Sequence, residues 1–146
     1  MRIKWRQDDG SNSVEMALSC TVLMAVVFGI IQTAQLLYAY HYVAETARRT
    51  TRWAMVRGCT YTSPASSTDI QTYVTGLGFP GINRTKLTAT TTWPTTGAAC
   101  TPCSTPCNNP GNLVRVKVQY VTNLAIPFAP DYNLTLSSTS QQVIAQ

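Results

Sequence analysis

The longest apolar pattern in the chain lies near its N-terminus and predicts a membrane-spanning helix. Residues 16–44 contain no Asp, Glu, Lys or Arg. About 20 helical residues span the roughly 30 Å hydrocarbon core of a bilayer, so the run is long enough to cross it. A secretory signal carries an apolar region of only about 7–15 residues before its cleavage site. We therefore predict a transmembrane segment over about residues 16–40 that signal peptidase leaves in place.

The helical pattern continues beyond the apolar run. One face of this continuation is polar and carries His41, Glu45 and three arginines. Glu45 is placed to pair with Arg48 or Arg49. Gly58 is a typical C-terminal stop, so one helix is predicted over residues 11–58. Its second half should pack on the protein's own sheet through the residues that recur at helical spacing: Tyr40, Val43, Ala44, Ala47, Thr51 and Ala54.

The remainder, residues 59–146, has the pattern of one small α+β domain. A short helix is predicted over residues 68–77, and strands over 85–93, 112–120 and 134–144. The middle strand has the clearest alternation, with apolar Val114, Val116, Val118 and Tyr120 separated by Arg115, Lys117 and Gln119. The predicted fold class is therefore α+β, with a long N-terminal helix packed on a small antiparallel sheet.

Charge and candidate catalytic residues narrow the function. The net charge is +5, but the basic residues are scattered and form no patch of the kind that binds nucleic acid. Beyond the membrane segment the acids Glu45, Asp69 and Asp131 are far apart in sequence, and His41 is the only histidine. A His41–Glu45 pair at i, i+4 is best interpreted as an exposed helix pair. We predict that the chain is not an enzyme and uses no cofactor.

The five cysteines indicate an oxidising compartment. Cys20 lies inside the apolar run and acts as a small hydrophobe. Four cysteines in a small domain beyond a membrane are typical of two disulfides, with three possible pairings; we favour a bridge from Cys59 to the loop over 100–107 and a short second bridge inside that loop. Zinc is the alternative, because residues 100–103 form a C-x-x-C, but a structural zinc site usually shows two such knuckles or added histidines. The disulfide candidates are Cys59, Cys100, Cys103 and Cys107.

Basic residues alone do not orient the membrane segment. Three precede it and four follow it closely, so the positive-inside rule gives no decision. The cysteine-bearing domain belongs outside the cytoplasm, which predicts a cytoplasmic N-terminus and a periplasmic or other extracytoplasmic C-terminal domain. The chain is then a single-pass protein of the inner (cell) membrane, in contact with lipid.

The N-terminal residues resemble the processing site of type IV prepilins. A short polar leader over residues 1–10 ends in Gly10, the small residue Ser11 follows, and Glu15 stands directly before the apolar helix. The closer resemblance is to the TadE-like pseudopilins of the tight-adherence (Flp) pilus system. It is carried by Val14-Glu15-Met16-Ala17-Leu18, by Gly29, by Tyr38-Ala39-Tyr40 and by the Ala-Arg pattern over residues 47–54.

This resemblance implies a minor pseudopilin that helps a tight-adherence pilus or a related secretion apparatus assemble. It implies cleavage between Gly10 and Ser11 by a prepilin peptidase, a recognition or assembly role for Glu15, and other Tad pilus components as partners. Met16 stands where the family commonly has Phe, and the cysteine-rich loop is not part of the family pattern. The alternative functions are an uncleaved bitopic periplasmic binding or adaptor module and, more remotely, a membrane-tethered enzyme.

Overall fold

A single long helix dominates the computed structural model, which describes residues 8–94, 103, 108–124 and 132–145. Helix α1 runs over Asp8–Met55, about 70 Å at 1.5 Å per residue. It begins before the predicted start at Ser11 and ends before Gly58. Arg57 N–H donates to the Ala54 carbonyl at 3.1 Å, which tightens the chain into a turn after Met55.

The C-terminal part folds as a small sheet with one short helix. Helix α2 covers Ser67–Gly76, and a 3-10 turn over Arg84–Lys86 leads into the first strand. The strands are β1 (Leu87–Thr92), β2 (Leu113–Leu124) and β3 (Tyr132–Val143). They form an antiparallel sheet in the order β1-β2-β3. The predicted α+β architecture is confirmed.

The second half of α1 covers one face of this sheet, as the sequence predicts. Along β2, Val114, Val116, Val118 and Tyr120 are buried, whereas Arg115 and Lys117 are exposed and Gln119 is half-buried. The expected face of α1 is correct for Val43, Ala47, Thr51 and Ala54, and Ala44 is half-buried. It is wrong for Tyr40, whose side chain is 50% exposed. The buried face is instead completed by Ala39, Tyr42, Thr46 and Thr50.

Two tyrosines one helical turn apart fasten α1 where it meets the domain. Tyr38 Oη donates to the Pro80 carbonyl at 3.2 Å, and Tyr42 Oη donates to the Leu77 carbonyl at 3.0 Å. The Tyr42 ring also meets the Phe79 ring edge-on, with 4.8 Å between centroids. These contacts tie α1 to the segment that joins α2 to the 3-10 turn, and they displace the buried face from Tyr40 to Tyr42.

The outer edge of β1 is closed by one side chain of α2. Gln71 Nε2 donates to the Leu87 carbonyl at 3.1 Å, and Ala89 N–H donates to Gln71 Oε1 at 2.6 Å. The amide therefore presents one donor and one acceptor, as a neighbouring strand would. An open strand edge is a template for unwanted pairing, and Gln71 removes part of that edge.

Candidate processing and assembly segment

The N-terminal half of α1 projects from the domain without packing against it. Contact with the domain begins at Tyr38, which hydrogen-bonds to Pro80, and at Ala39, the first buried residue of the helix. Apolar side chains before this point are widely exposed, among them Val14 (69%), Met16 (75%), Leu18 (67%), Phe28 (48%) and Ile30 (65%). An exposed apolar surface of this extent indicates contact with lipid or with other protein.

This helix is also the one in the described part of the chain that is long and apolar enough to cross a membrane. From Glu15 to Ala39 it extends about 36 Å at 1.5 Å per residue, slightly more than a hydrocarbon core of about 30 Å. The chain therefore has the form of a single-pass membrane protein with one folded domain on one side.

Two threonine hydroxyls inside the projecting segment are hydrogen-bonded to the helix itself. Thr21 Oγ1 donates to the Ala17 carbonyl and Thr33 Oγ1 donates to the Gly29 carbonyl, each at 2.8 Å. A hydroxyl that bonds to the preceding turn needs no water, which suits a helix surrounded by lipid. These threonines therefore do not conflict with a transmembrane position.

The structure places the predicted processing residues together at the free end of α1. Gly10, Ser11 and Glu15 all lie in the helix, and all three are exposed. A Cβ added at Gly10 would meet no atom within 4 Å, so no described residue packs closely on the predicted cleavage point. Glu15 has no ion-pair partner within the described ranges, where the recorded salt bridge joins Arg49 to Glu45 at 2.7 Å.

Three cysteines lie in the described residues: Cys20 lies alone on the projecting helix, and Cys59 and Cys103 lie near each other. Cys20 is exposed on the projecting helix, and Cys59 and Cys103 are free thiols that lie close together, with Cys103 Sγ 3.7 Å from the Cys59 carbonyl oxygen. Burial, followed by the neighbouring Cys103 thiol, raises the pKa of Cys59 to about 11. The other two disulfide candidates, Cys100 and Cys107, lie outside the described residues.

Asn108 holds the chain beyond Cys103 against the turn that follows α1. Its side chain is 3% exposed, and Nδ2 lies 3.3 Å from both the Arg57 and the Ala65 carbonyl oxygens. The Cys59 N–H donates to the Asn108 carbonyl at 2.9 Å. Sequence reasoning missed this residue, because Asn in a Pro-rich loop is typical of a turn and its partners are distant in sequence.

Asp69, Glu45 and His41 make contacts with residues near them in sequence. Asp69 is the third residue of α2 and completes a capping box with Ser66, whose hydrogen bonds lower the pKa of the Asp69 carboxyl group. The bond from Arg49 lowers the pKa of Glu45, which confirms the expected pairing. His41 is exposed, and its ring meets Tyr40 edge-on. Within the described ranges no three His, Cys, Asp or Glu side chains gather where they could hold a metal ion.

Comparison with known proteins gives one match, at the N-terminal segment. Residues 10–52 match the family model described as TadE-like protein. The matched segment begins at Gly10 and covers the projecting helix and most of the part that packs on the sheet. No curated protein and no solved structure matches the chain. The match confirms the resemblance to TadE-like proteins inferred from the sequence, over residues 10–52.

Proposed function

We propose that this chain, TadE-like over residues 10–52 and therefore related to the Tad pilus, is a minor pseudopilin that helps the pilus or a related secretion apparatus assemble. The observation that carries the proposal is that this segment includes the projecting half of α1 from Gly10 onward. The part of α1 that the domain leaves exposed is the part that a membrane or a filament core would cover. The role is structural rather than enzymatic.

The proposed topology places the leader in the cytoplasm and the sheet domain in the periplasm. A prepilin peptidase would cut between Gly10 and Ser11, and the apolar helix would remain as the membrane anchor. Support comes from the exposure of Gly10 and Ser11 at the free end of α1 and from the start of the family match at Gly10. Other Tad components would be the assembly partners, and lipid would surround the helix before assembly.

Glu15 is proposed to act in assembly through its charge. A carboxylate at the edge of an apolar helix is costly to bury unless it meets a cation, and Glu15 has none in the described part of its own chain. Cleavage at Gly10 would create a positively charged amine on Ser11 of a neighbouring subunit. Pairing these two groups would offset part of the desolvation cost of both and would set the axial register of adjacent helices.

The test is pilus formation by cells that carry Glu15→Leu in place of the wild-type protein. We expect the variant to reach the membrane with a folded domain, because Glu15 contacts none of the core, but to assemble few or no pili. Glu45→Leu is the matched control: it removes an acid from the same helix, within the domain, and should leave pilus number near the wild-type level. Normal piliation by the Glu15→Leu strain would refute the assembly role.

A further inference from the structure

Outside the projecting helix, the thiols of Cys59 and Cys103 are the reactive groups that the fold brings together from distant parts of the sequence. Cys59 follows the end of α1, and Cys103 lies in the connection between β1 and β2. The Cys103 sulfur is 3.7 Å from the Cys59 carbonyl oxygen. Cys103 is exposed and Cys59 is half-buried, so a small oxidant can reach the pair from the Cys103 side.

Hydrogen bonds hold the turn that contains Cys59 in place. The Ala65 N–H donates to the Arg57 carbonyl at 3.0 Å and closes this turn. The side chain of the buried Asn108, five positions after Cys103 in the sequence, bonds to the same turn. Cys103 itself has φ of 64°, in the left-handed region that L-residues rarely adopt.

We propose that Cys59 and Cys103 form a disulfide that ties the turn after α1 to the connection between β1 and β2. Among the bridges that Cys59 could make to the 100–107 loop, this assigns Cys103 rather than Cys100 or Cys107. The proposal rests on the proposed function only for its location in an oxidising extracytoplasmic compartment, since the proximity of the two thiols is independent of pilus assembly.

The chemistry is thiol–disulfide exchange with a small or protein-borne disulfide such as glutathione disulfide. Cys103, the more exposed thiol, loses its proton to water and attacks one sulfur of the oxidant, which releases one thiolate and leaves a mixed disulfide on Cys103. Cys59 then loses its proton and attacks the Cys103 sulfur, which closes the bridge and releases the second thiolate. The protein loses two electrons, the oxidant gains them, and the two released thiolates take up the two protons.

Burial, which persists when Cys103 carries the mixed disulfide, raises the pKa of the Cys59 thiol, so only a small fraction of Cys59 is thiolate at pH 7. The rate of bridge closure from the mixed disulfide should therefore rise as the pH is raised from 7 to 9.

The experiment compares three full-length variants in detergent, each with Cys20→Ser and each keeping Cys59 with one loop cysteine. The kept partner is Cys103 in C100S/C107S, Cys100 in C103S/C107S and Cys107 in C100S/C103S. Each protein is equilibrated with mixtures of reduced and oxidised glutathione and then alkylated. Trypsin releases Cys59 in the fragment 58–84 and all three loop cysteines in the fragment 87–115. The disulfide-linked pair of fragments therefore has the same mass in all three variants, and its amount measures bridge formation in each.

We expect C100S/C107S to form the linked fragment at a glutathione disulfide level at least about tenfold lower than either other variant needs, an advantage of about 1.4 kcal/mol. In concentrated urea this preference should disappear, because the three spacings are similar and only the fold distinguishes them. The proposal is overturned if Cys100 or Cys107 bridges to Cys59 as readily in the folded protein, or if the preference persists in urea. The readout involves no pili, so its failure and the failure of the assembly role are separate results.

Discussion

At the scale of single residues, the domain depends on a few polar side chains whose partners lie far away in sequence. Asn108 is the clearest case, since its amide reaches two carbonyl groups on the turn after α1 from inside a loop rich in Pro and Thr. Its composition indicates only a turn, and the pattern of neighbouring residues contains nothing that predicts a buried clamp. Sequence reasoning proposed a role for Glu15 because an acid stands directly beside an apolar run. It missed Asn108 because the importance of that residue is visible only in the folded structure.

Replacement of Asn108 by Ala should destabilise the domain by about 1–3 kcal/mol. The change removes a donor shared by the carbonyl groups of Arg57 and Ala65 and leaves part of their hydrogen-bonding capacity unmet in a buried site. The measurement is the urea midpoint of unfolding in detergent, followed by tryptophan fluorescence. Asn109→Ala is the matched control, because the Asn109 side chain is exposed and its carbonyl group still accepts from Asn112. Equal midpoints for the two variants would contradict a stabilising role for the Asn108 side chain.

At the scale of elements, the sequence predicted most of the helices and strands but not the contacts between them. The alternation along β2 predicted its buried face correctly, because a sheet with one solvent-exposed face has apolar and polar residues in alternation along each strand. The face of α1 was predicted only in part. Helical spacing admits several neighbouring faces, and the choice between Tyr40 and Tyr42 was decided by the hydrogen bond from Tyr42 to Leu77. Such a contact depends on tertiary placement, which periodicity does not encode.

The edge of β1 provides a prediction at this scale. Gln71→Ala should lower the free energy of unfolding by about 1–3 kcal/mol, because two hydrogen bonds are lost and Ala89 keeps a half-buried N–H without its acceptor. It should also promote self-association, since the strand edge becomes open to pairing. Urea unfolding and light scattering measure the two effects. Lys117→Ala, at an exposed position on β2, should change neither. A Gln71→Ala protein as stable and as monodisperse as this control would disprove the edge-closing role.

At the scale of the whole molecule, the long helix α1 has one half that packs on the sheet domain and one half that does not. The packed half supplies the cover that the small sheet needs, and the unpacked half carries the apolar surface for a membrane or an assembly. The length and charge-free character of residues 16–44 made this division predictable, because few soluble helices can leave so much apolar surface without a partner. The thiol pair and the loop that carries it have no counterpart in the family match, and the sequence alone left their pairing open.

The most direct test of this account is the N-terminus of the mature protein, determined by mass spectrometry on protein isolated from cells with an active prepilin peptidase. The account predicts a chain that begins at Ser11, and it predicts that Gly10→Val abolishes cleavage while Gly29→Val, at another open position of the same helix, leaves it unchanged. A Cβ at either glycine meets no atom within 4 Å, so neither change should disturb the fold. A wild-type protein that keeps Met1 and its leader in those cells would contradict the pseudopilin assignment and favour the uncleaved bitopic adaptor.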